Sequence, residues 1–266
     1  MIGVGYNLFD GEELLEYSID SIREYVDYIV VIAQEMSNYG QKNENLREIL
    51  HRLKELKKID LIHWYSPTLE YNADGNVKFD NGVGNEQKKR QLALDICKTK
   101  GCKIFSSMDC DELYLAESYK YALSDFISGD YDSSFCQMKT FYKYPTWEVF
   151  PQEKYYVPLF YKVTKNSNFT FEFVPPYPVE IDPSRRMKAG NSRIFTRHEI
   201  EMYHYSYVRK DMASKVRNSS AHFNIEHQGE IINYWNDASD VNKGALFLGN
   251  QKFNLIESEN IFNIKI

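Results

Sequence analysis

Over its first 65 residues the chain alternates apolar runs with amphipathic stretches, and few folds accept that order. Ile2–Tyr6 reads as a short strand. Asp10, with Glu13 three residues on, reads as a helix cap. Leu14, Leu15, Ile19 and Ile22 then recur at helical spacing, which predicts a helix from Gly11 to about Tyr25. Tyr28–Ala33 is a continuous, largely β-branched run without alternation, the pattern of a strand covered on both faces. Leu46, Ile49, Leu50, Leu53 and Leu56 predict a helix over Asn45–Lys57, and Ile59–Tyr65 reads as a third strand. The order β-α-β-α-β implies right-handed crossovers and a parallel sheet. Ligands of such sheets sit outside the carboxyl ends of the strands, so Tyr6–Asn7, Gln34–Glu35 and Tyr65 are expected on one rim.

Ser66–Gly84 is rich in Gly, Asn and Asp and reads as a long loop. A helix follows over Asn85–Lys100, stopped by Gly101. The next strand, Lys103–Met108, runs into Asp109, Asp111 and Glu112. After Asp111 the pattern changes. A helix is expected over Tyr119–Ile127, antiparallel strands over Ser133–Val163, and a strand over Glu201–Val208. Helices are expected from Asp211 to about Ser220 and around Glu226–Trp235, and the last thirty residues are weakly patterned.

Carboxylates crowded at the end of a core strand repel one another unless a positive charge joins them. A divalent cation with a preference for oxygen ligands is the simplest candidate, since Mg²⁺ and Mn²⁺ are often shared with substrate phosphates. In extended chain, residues two apart point the same way, so Asp109 and Asp111 would face one ion while Cys110 faces the core. The bland alternative is that the acids only cap the next helix.

The bulk properties exclude some classes. Net charge is −6, without the basic face that a large nucleic-acid footprint needs. No apolar run reaches the length of a membrane span, and the start has no basic segment followed by an apolar one, so a cytoplasmic protein is expected. Cys97, Cys102, Cys110 and Cys136 show no zinc-type spacing and are expected to be reduced and partly buried. The excess of aromatic residues, 21 Tyr and 16 Phe, suits strands and flat platforms for sugars and bases.

Four pieces, in order, resemble a GT-A fold glycosyltransferase of the family 2 type found in bacterial and phage genomes. They are Val4-Gly5-Tyr6-Asn7 with Glu13-Leu14-Leu15 and Ser21-Ile22, then Asn85-Glu86-Gln87-Lys88-Lys89-Arg90, then Met108-Asp109-Cys110-Asp111-Glu112, and His204 within Tyr203–Tyr207. The resemblance implies an α/β fold with a parallel-rich mixed central sheet flanked by helices. It implies one catalytic domain over residues 1–220, with a nucleotide-binding half (1–115) and an acceptor half (116–220). Residues 221–266 would be a helical C-terminal extension.

The implied activity is metal-dependent transfer of a sugar from a nucleotide-diphosphate donor, a UDP-sugar first among them, to a hydroxyl of a glycan or similar acceptor. Mn²⁺ or Mg²⁺ would be held by Asp111, Asp109 and His204, with Asp109 serving the ion, the donor ribose or both. Asn85, Lys89, Arg90, Arg209 and Lys210 would bind the phosphates or base, and Tyr6, Asn7 and Gln34 would line the nucleoside. Gln34, followed by Glu35, departs from the family, which usually places an acid there. For the base that deprotonates the acceptor, Glu148 beside the platform residue Trp147 stands with Glu172, Glu180 and Asp182.

Three rival readings remain. A sugar nucleotidyltransferase would need a glycine-rich basic loop after the first strand, where Asn7–Glu13 is acidic. A non-catalytic sugar-binding module would have no need of the intact acid triplet. An acceptor that is a modified nucleic-acid base would draw on Lys88-Lys89-Arg90 and Arg185-Arg186 as exposed basic residues.

Overall fold

The computed structural model describes residues 1–75, 78, 81–219, 225–246 and 252–266. The front of the molecule follows the predicted alternation: β1 (Ile2–Leu8), α1 (Glu12–Ile22), β2 (Tyr28–Ala33), α2 (Leu46–Glu55) and β3 (Leu61–Trp64). Then come α3 (Asn81–Lys100), β4 (Ile104–Asp109) and a two-residue strand β5 (Glu112–Leu113). Strands β3-β2-β1-β4 are neighbours in that order and all parallel. Every residue of β2 is buried, as its unbroken apolar run requires.

The back half contains α4 (Ala116–Ser128), β6 (Ser133–Tyr142), β7 (Trp147–Phe150), β8 (Tyr156–Lys162), β9 (Ser192–Ile194), β10 (Glu201–Tyr207) and α5 (Met212–Asn218). It ends with α6 (Ile225–Asp237), β11 (Ala245–Leu246) and β12 (Lys252–Glu257). The hairpin strands β6, β7 and β8 are antiparallel, and β8 attaches them to β4. β10 runs parallel to β6 and antiparallel to β5, which ties the late chain to the acid cluster. The fold is thus the expected one, a parallel-rich mixed sheet flanked by helices. No helix among the described residues is long and apolar enough to cross a membrane.

Three expectations are corrected. The C-terminal stretch is not only helical, because β12 pairs with β7 and extends the same sheet. α3 starts at Asn81, so Asn85 lies inside the helix rather than at its opening. α1 is preceded by Gly11 with no side-chain cap; Asp10 turns into a cavity and Glu13 accepts from the backbone amide of Lys210.

The strand pleat sorts β1 into two faces. Tyr6 and Leu8 face the core shared with α1 and α2, whereas Gly5 and Asn7 face α3. Register places Asn7 opposite Asp109 on β4 and Ile32 on β2. Gln34 follows two residues after Ile32 and donates its backbone amide to the Leu8 carbonyl. Gln34, Asn7 and Asp109 therefore stand side by side on the α3 face, at the carboxyl ends of three adjacent parallel strands.

Candidate active site

One polar cavity opens at this rim. Its lining includes Gln34, Asn7 and Asp109 from the strand ends, Glu86, Lys89 and Arg90 from α3, and Asp111 from the turn after β4. Asp182, His204, Arg209 and Lys215 reach it from the back half. The cavity has a volume of about 170 Å³ and shares Asp10 and Arg209 with a second cavity of about 450 Å³, lined by Glu12, Glu13, Lys42, Asn43 and Lys210.

The acid cluster is neutralised by arginines. Arg90 on α3 donates to both oxygens of Asp109 at 3.1 Å and to Ser107 Oγ at 2.8 Å. Arg185 bridges Asp109 and Glu112 with one guanidinium nitrogen. Arg209 donates to Asp111 Oδ2. Burial pushes the Asp109 carboxyl up, but Arg185 and Arg90 override it and hold Asp109 well below the usual carboxylate range. Asp111 is likewise held low by Arg209, Lys215 and His204 against burial. Glu112 goes the other way: burial pushes it up to about 7, with Arg185 opposing.

Gly11 makes the Arg209 contact possible. Its φ is +78°, and a Cβ there would lie 1.3 Å from Arg209 Nη1. Only glycine accepts both that backbone conformation and that close approach.

Several donors and acceptors at the cavity are buried without a partner. Asn7 Oδ1, Gln34 Oε1, His204 Nδ1 and Arg209 Nη1 are among them. Gln34 is held in place by its own amide, which donates to the Met36 carbonyl at 3.1 Å and Asn38 Oδ1 at 3.0 Å, so its carbonyl oxygen is the free end. Burial lowers the Lys89 ammonium to about 8 although Glu86 and Asp109 favour its charge. Glu86 is itself pushed up, first by burial and then by Asp182.

The cavity offers a divalent cation two protein ligands. Asp111 Oδ1 lies 4.0 Å from His204 Nε2, and burial lowers the His204 pKa, which favours the neutral imidazole that ligates metals. Asp109 is not part of that pair, because both its oxygens accept from arginine. No group of three or more His, Cys, Asp or Glu that would hold a metal ion occurs among the described residues. Mg²⁺-like ions take one or two carboxylates and complete their shell with phosphate oxygens and water. The residues present thus fit an ion that arrives with a diphosphate, and do not fit one caged by protein alone.

The structure brings Asn7, Gln34, Lys89, Arg90, Asp109, Asp111, His204 and Arg209 together around one cavity. Four other expected residues stand elsewhere. Tyr6 is buried on the opposite face of β1, its hydroxyl 3.1 Å from Ser18 Oγ, so it does not stack on a ligand in the cavity. Asn85 fastens the preceding loop, accepting from Tyr65 Oη at 2.7 Å and donating to the Thr68 carbonyl at 3.0 Å. Lys210 lines the second cavity. Glu148 sits on β7, accepting from Gln152 Nε2 at 2.9 Å and lying 3.7 Å from Lys139 Nζ, away from the cavity. Of the other acids considered with it, Glu172 and Glu180 are exposed outside the cavity and Asp182 lines it.

Sequence reasoning misassigned Arg185 and missed Glu86 and Lys215. Arg185 closes a short 3-10 turn, Pro183–Arg185, capped by the Asp182 side chain. Asp-Pro-Ser-Arg is a legible turn signal. Nothing in it names a partner 76 residues earlier.

No family model and no curated protein matches this chain. Similar solved structures include S. aureus TarS, at 12% identity over 91% of this chain and 44% of that one, with a TM-score of 0.47. Another is TarS 1-349 in complex with UDP, at 16% identity and a TM-score of 0.36; the match covers 52% of this chain and 36% of that one. A third is mannosyltransferase PcManGT from Pyrobaculum calidifontis in complex with GDP-Man and Mn²⁺, at 12% identity over 90% of this chain and 64% of that one, with a TM-score of 0.46.

Proposed function

We propose that this chain transfers a glycosyl group from a nucleoside-diphosphate sugar to a hydroxyl acceptor. One observation carries the reading: residues from the family-like motifs, widely separated in sequence, line a single cavity at the carboxyl rim of parallel strands. The nucleoside would lie towards Gln34 and Asn7, whose free carbonyl oxygens accept from base or ribose donors. The diphosphate would lie towards Lys89, Lys215 and the free Nη1 of Arg209. The sugar would extend from the diphosphate towards Asp182, which lines the same cavity.

In the transfer, the bond from the anomeric carbon to the diphosphate oxygen breaks and a bond to the acceptor oxygen forms. The acceptor proton must go to a base. We assign that role to Asp182 rather than Glu148. Asp182 lines the cavity, and its Oδ1 is anchored by the Ser184 amide at 2.8 Å, leaving Oδ2 to face an acceptor. Glu86 stands beside it, its pKa raised first by burial and then by Asp182. A divalent cation, Mn²⁺ by the preference of an imidazole–carboxylate pair, would neutralise charge on the leaving diphosphate when bound at Asp111 and His204.

Burial weighs against a nucleic-acid acceptor. Lys89, Arg90 and Arg185 are all internal, leaving Lys88 as the exposed member of its basic run. Donor hydrolysis across a panel of UDP- and GDP-sugars, with and without Mn²⁺, tests the proposal. One donor turned over above the rest is expected. Affinity for oligosaccharide with no response to any nucleotide would replace the enzyme by a sugar-binding module.

A further inference from the structure

We propose that Cys97 and Cys102 form a reversible intramolecular disulfide, a modification site at the carboxyl end of α3 that is independent of the transferase reading. The end of α3 is a paired turn. The Cys102 amide donates to the Cys97 carbonyl at 3.0 Å and the Gly101 amide to the Lys98 carbonyl at 2.9 Å, with Gly101 at φ +87°. This helix ending sets the residues at its two outer positions side by side, where an apolar contact is usual. Here both positions are cysteine.

A third element shapes the pair. Both sulfurs converge on Gly3 of β1, where a Cβ would lie 2.7 Å from Cys97 Sγ and 2.8 Å from Cys102 Sγ. A side chain at position 3 would displace one sulfur or the other. The remaining cysteines lie apart: Cys110 Sγ donates to the Asp10 carbonyl, and Cys136 packs by Tyr114.

Cys102 and then burial raise the Cys97 thiol, and Cys97 lowers the Cys102 thiol. Attack on an oxidant needs one of the pair as thiolate, and the other then resolves the mixed disulfide. Both side chains are buried, but Thr99, Lys100, Gly101 and Lys103 around them are exposed, so fraying of the last helical turn opens the pair to solvent. With glutathione disulfide as oxidant, one cysteine thiolate of the pair attacks one of its sulfurs and expels glutathione thiolate. The other cysteine then attacks the mixed disulfide and expels the second. Two protein thiols lose two protons and two electrons, one S–S bond forms, and one glutathione disulfide becomes two glutathione thiols.

The test is a glutathione redox titration of the full chain, quenched with alkylating agent and digested with trypsin. Trypsin cuts after Arg90, Lys98, Lys100 and Lys103, so the bridge would join the peptide 91–98 to the peptide 101–103. That linked pair is expected, two hydrogens lighter than the two peptides, with Cys110 and Cys136 still fully alkylated. Glutathione left on Cys97 or Cys102 without closure, or alkylation of both at every ratio, would overturn the proposal.

Discussion

The parallel front and the mixed back of the sheet supply the cavity in different ways. In front, Gln34, Asn7 and Asp109 arrive by register: three neighbouring strands end at one level, and the pleat decides which side chains face α3. In the back, Asp182 and Arg185 come from a turn, Arg209 from the segment after β10 and Lys215 from a short helix. Regular elements can hold a site at fixed spacing with backbone hydrogen bonds alone. Irregular segments hold one only through the contacts their side chains make, here arginine to carboxylate.

That contrast can be broken experimentally, most severely at the proposed base. Asp182→Asn should lower turnover by about 10²- to 10⁴-fold with little change in nucleotide affinity. Glu148→Gln, on the outlying strand β7, should leave turnover close to wild type. The reverse result would move the acceptor side to the other end of the sheet.

The next effect is on folding. Arg209→Met removes the direct partner of the buried Asp111 carboxylate, leaving Lys215 at 4.0 Å, and should cost about 3–5 kcal/mol of stability in chemical denaturation. Arg47→Met, which breaks the exposed Arg47–Glu35 pair, should leave the denaturation midpoint unchanged. Similar losses from both would mean that the arginine ties are no stronger inside than outside.

A pH series sharpens the role of α3. Lys89 is protonated below about 8 and loses its charge as pH rises through that value. Nucleoside-diphosphate affinity should therefore weaken above about pH 8, by roughly tenfold if one charged hydrogen bond is lost, a change of about 1.4 kcal/mol. Lys89→Arg should remove the inflection in calorimetric titrations. A wild-type affinity that is level across the range would take Lys89 out of the phosphate site.

The smallest effect concerns the two faces of β1. Tyr6→Phe removes a buried hydrogen bond to Ser18 and should cost about 1 kcal/mol of stability without altering nucleotide affinity. Asn7→Ala, one residue on and facing α3, should do the opposite.

Much of the front was legible because periodicity is a local property. The unbroken run of β2 and the apolar stripes of α1 and α2 each lie within a dozen residues. The pleat was misread: Tyr6 and Asn7 are both expected at the rim, yet alternation sends them to opposite faces, a core tyrosine and a cavity asparagine. Asn85 was harder. The loop before α3 has no pattern, and only its bonds to Tyr65 and Thr68 show what that side chain holds.

The sequence by itself determined that three acids close a core strand and that positive charge must meet them, since like carboxylates cannot be buried together uncompensated. Only the tertiary structure decided which charges do so. Arg90, Arg185 and Arg209 reach those acids across 19 to 98 residues of chain. A charge requirement is written locally, but its partner is chosen by how the chain returns to the sheet.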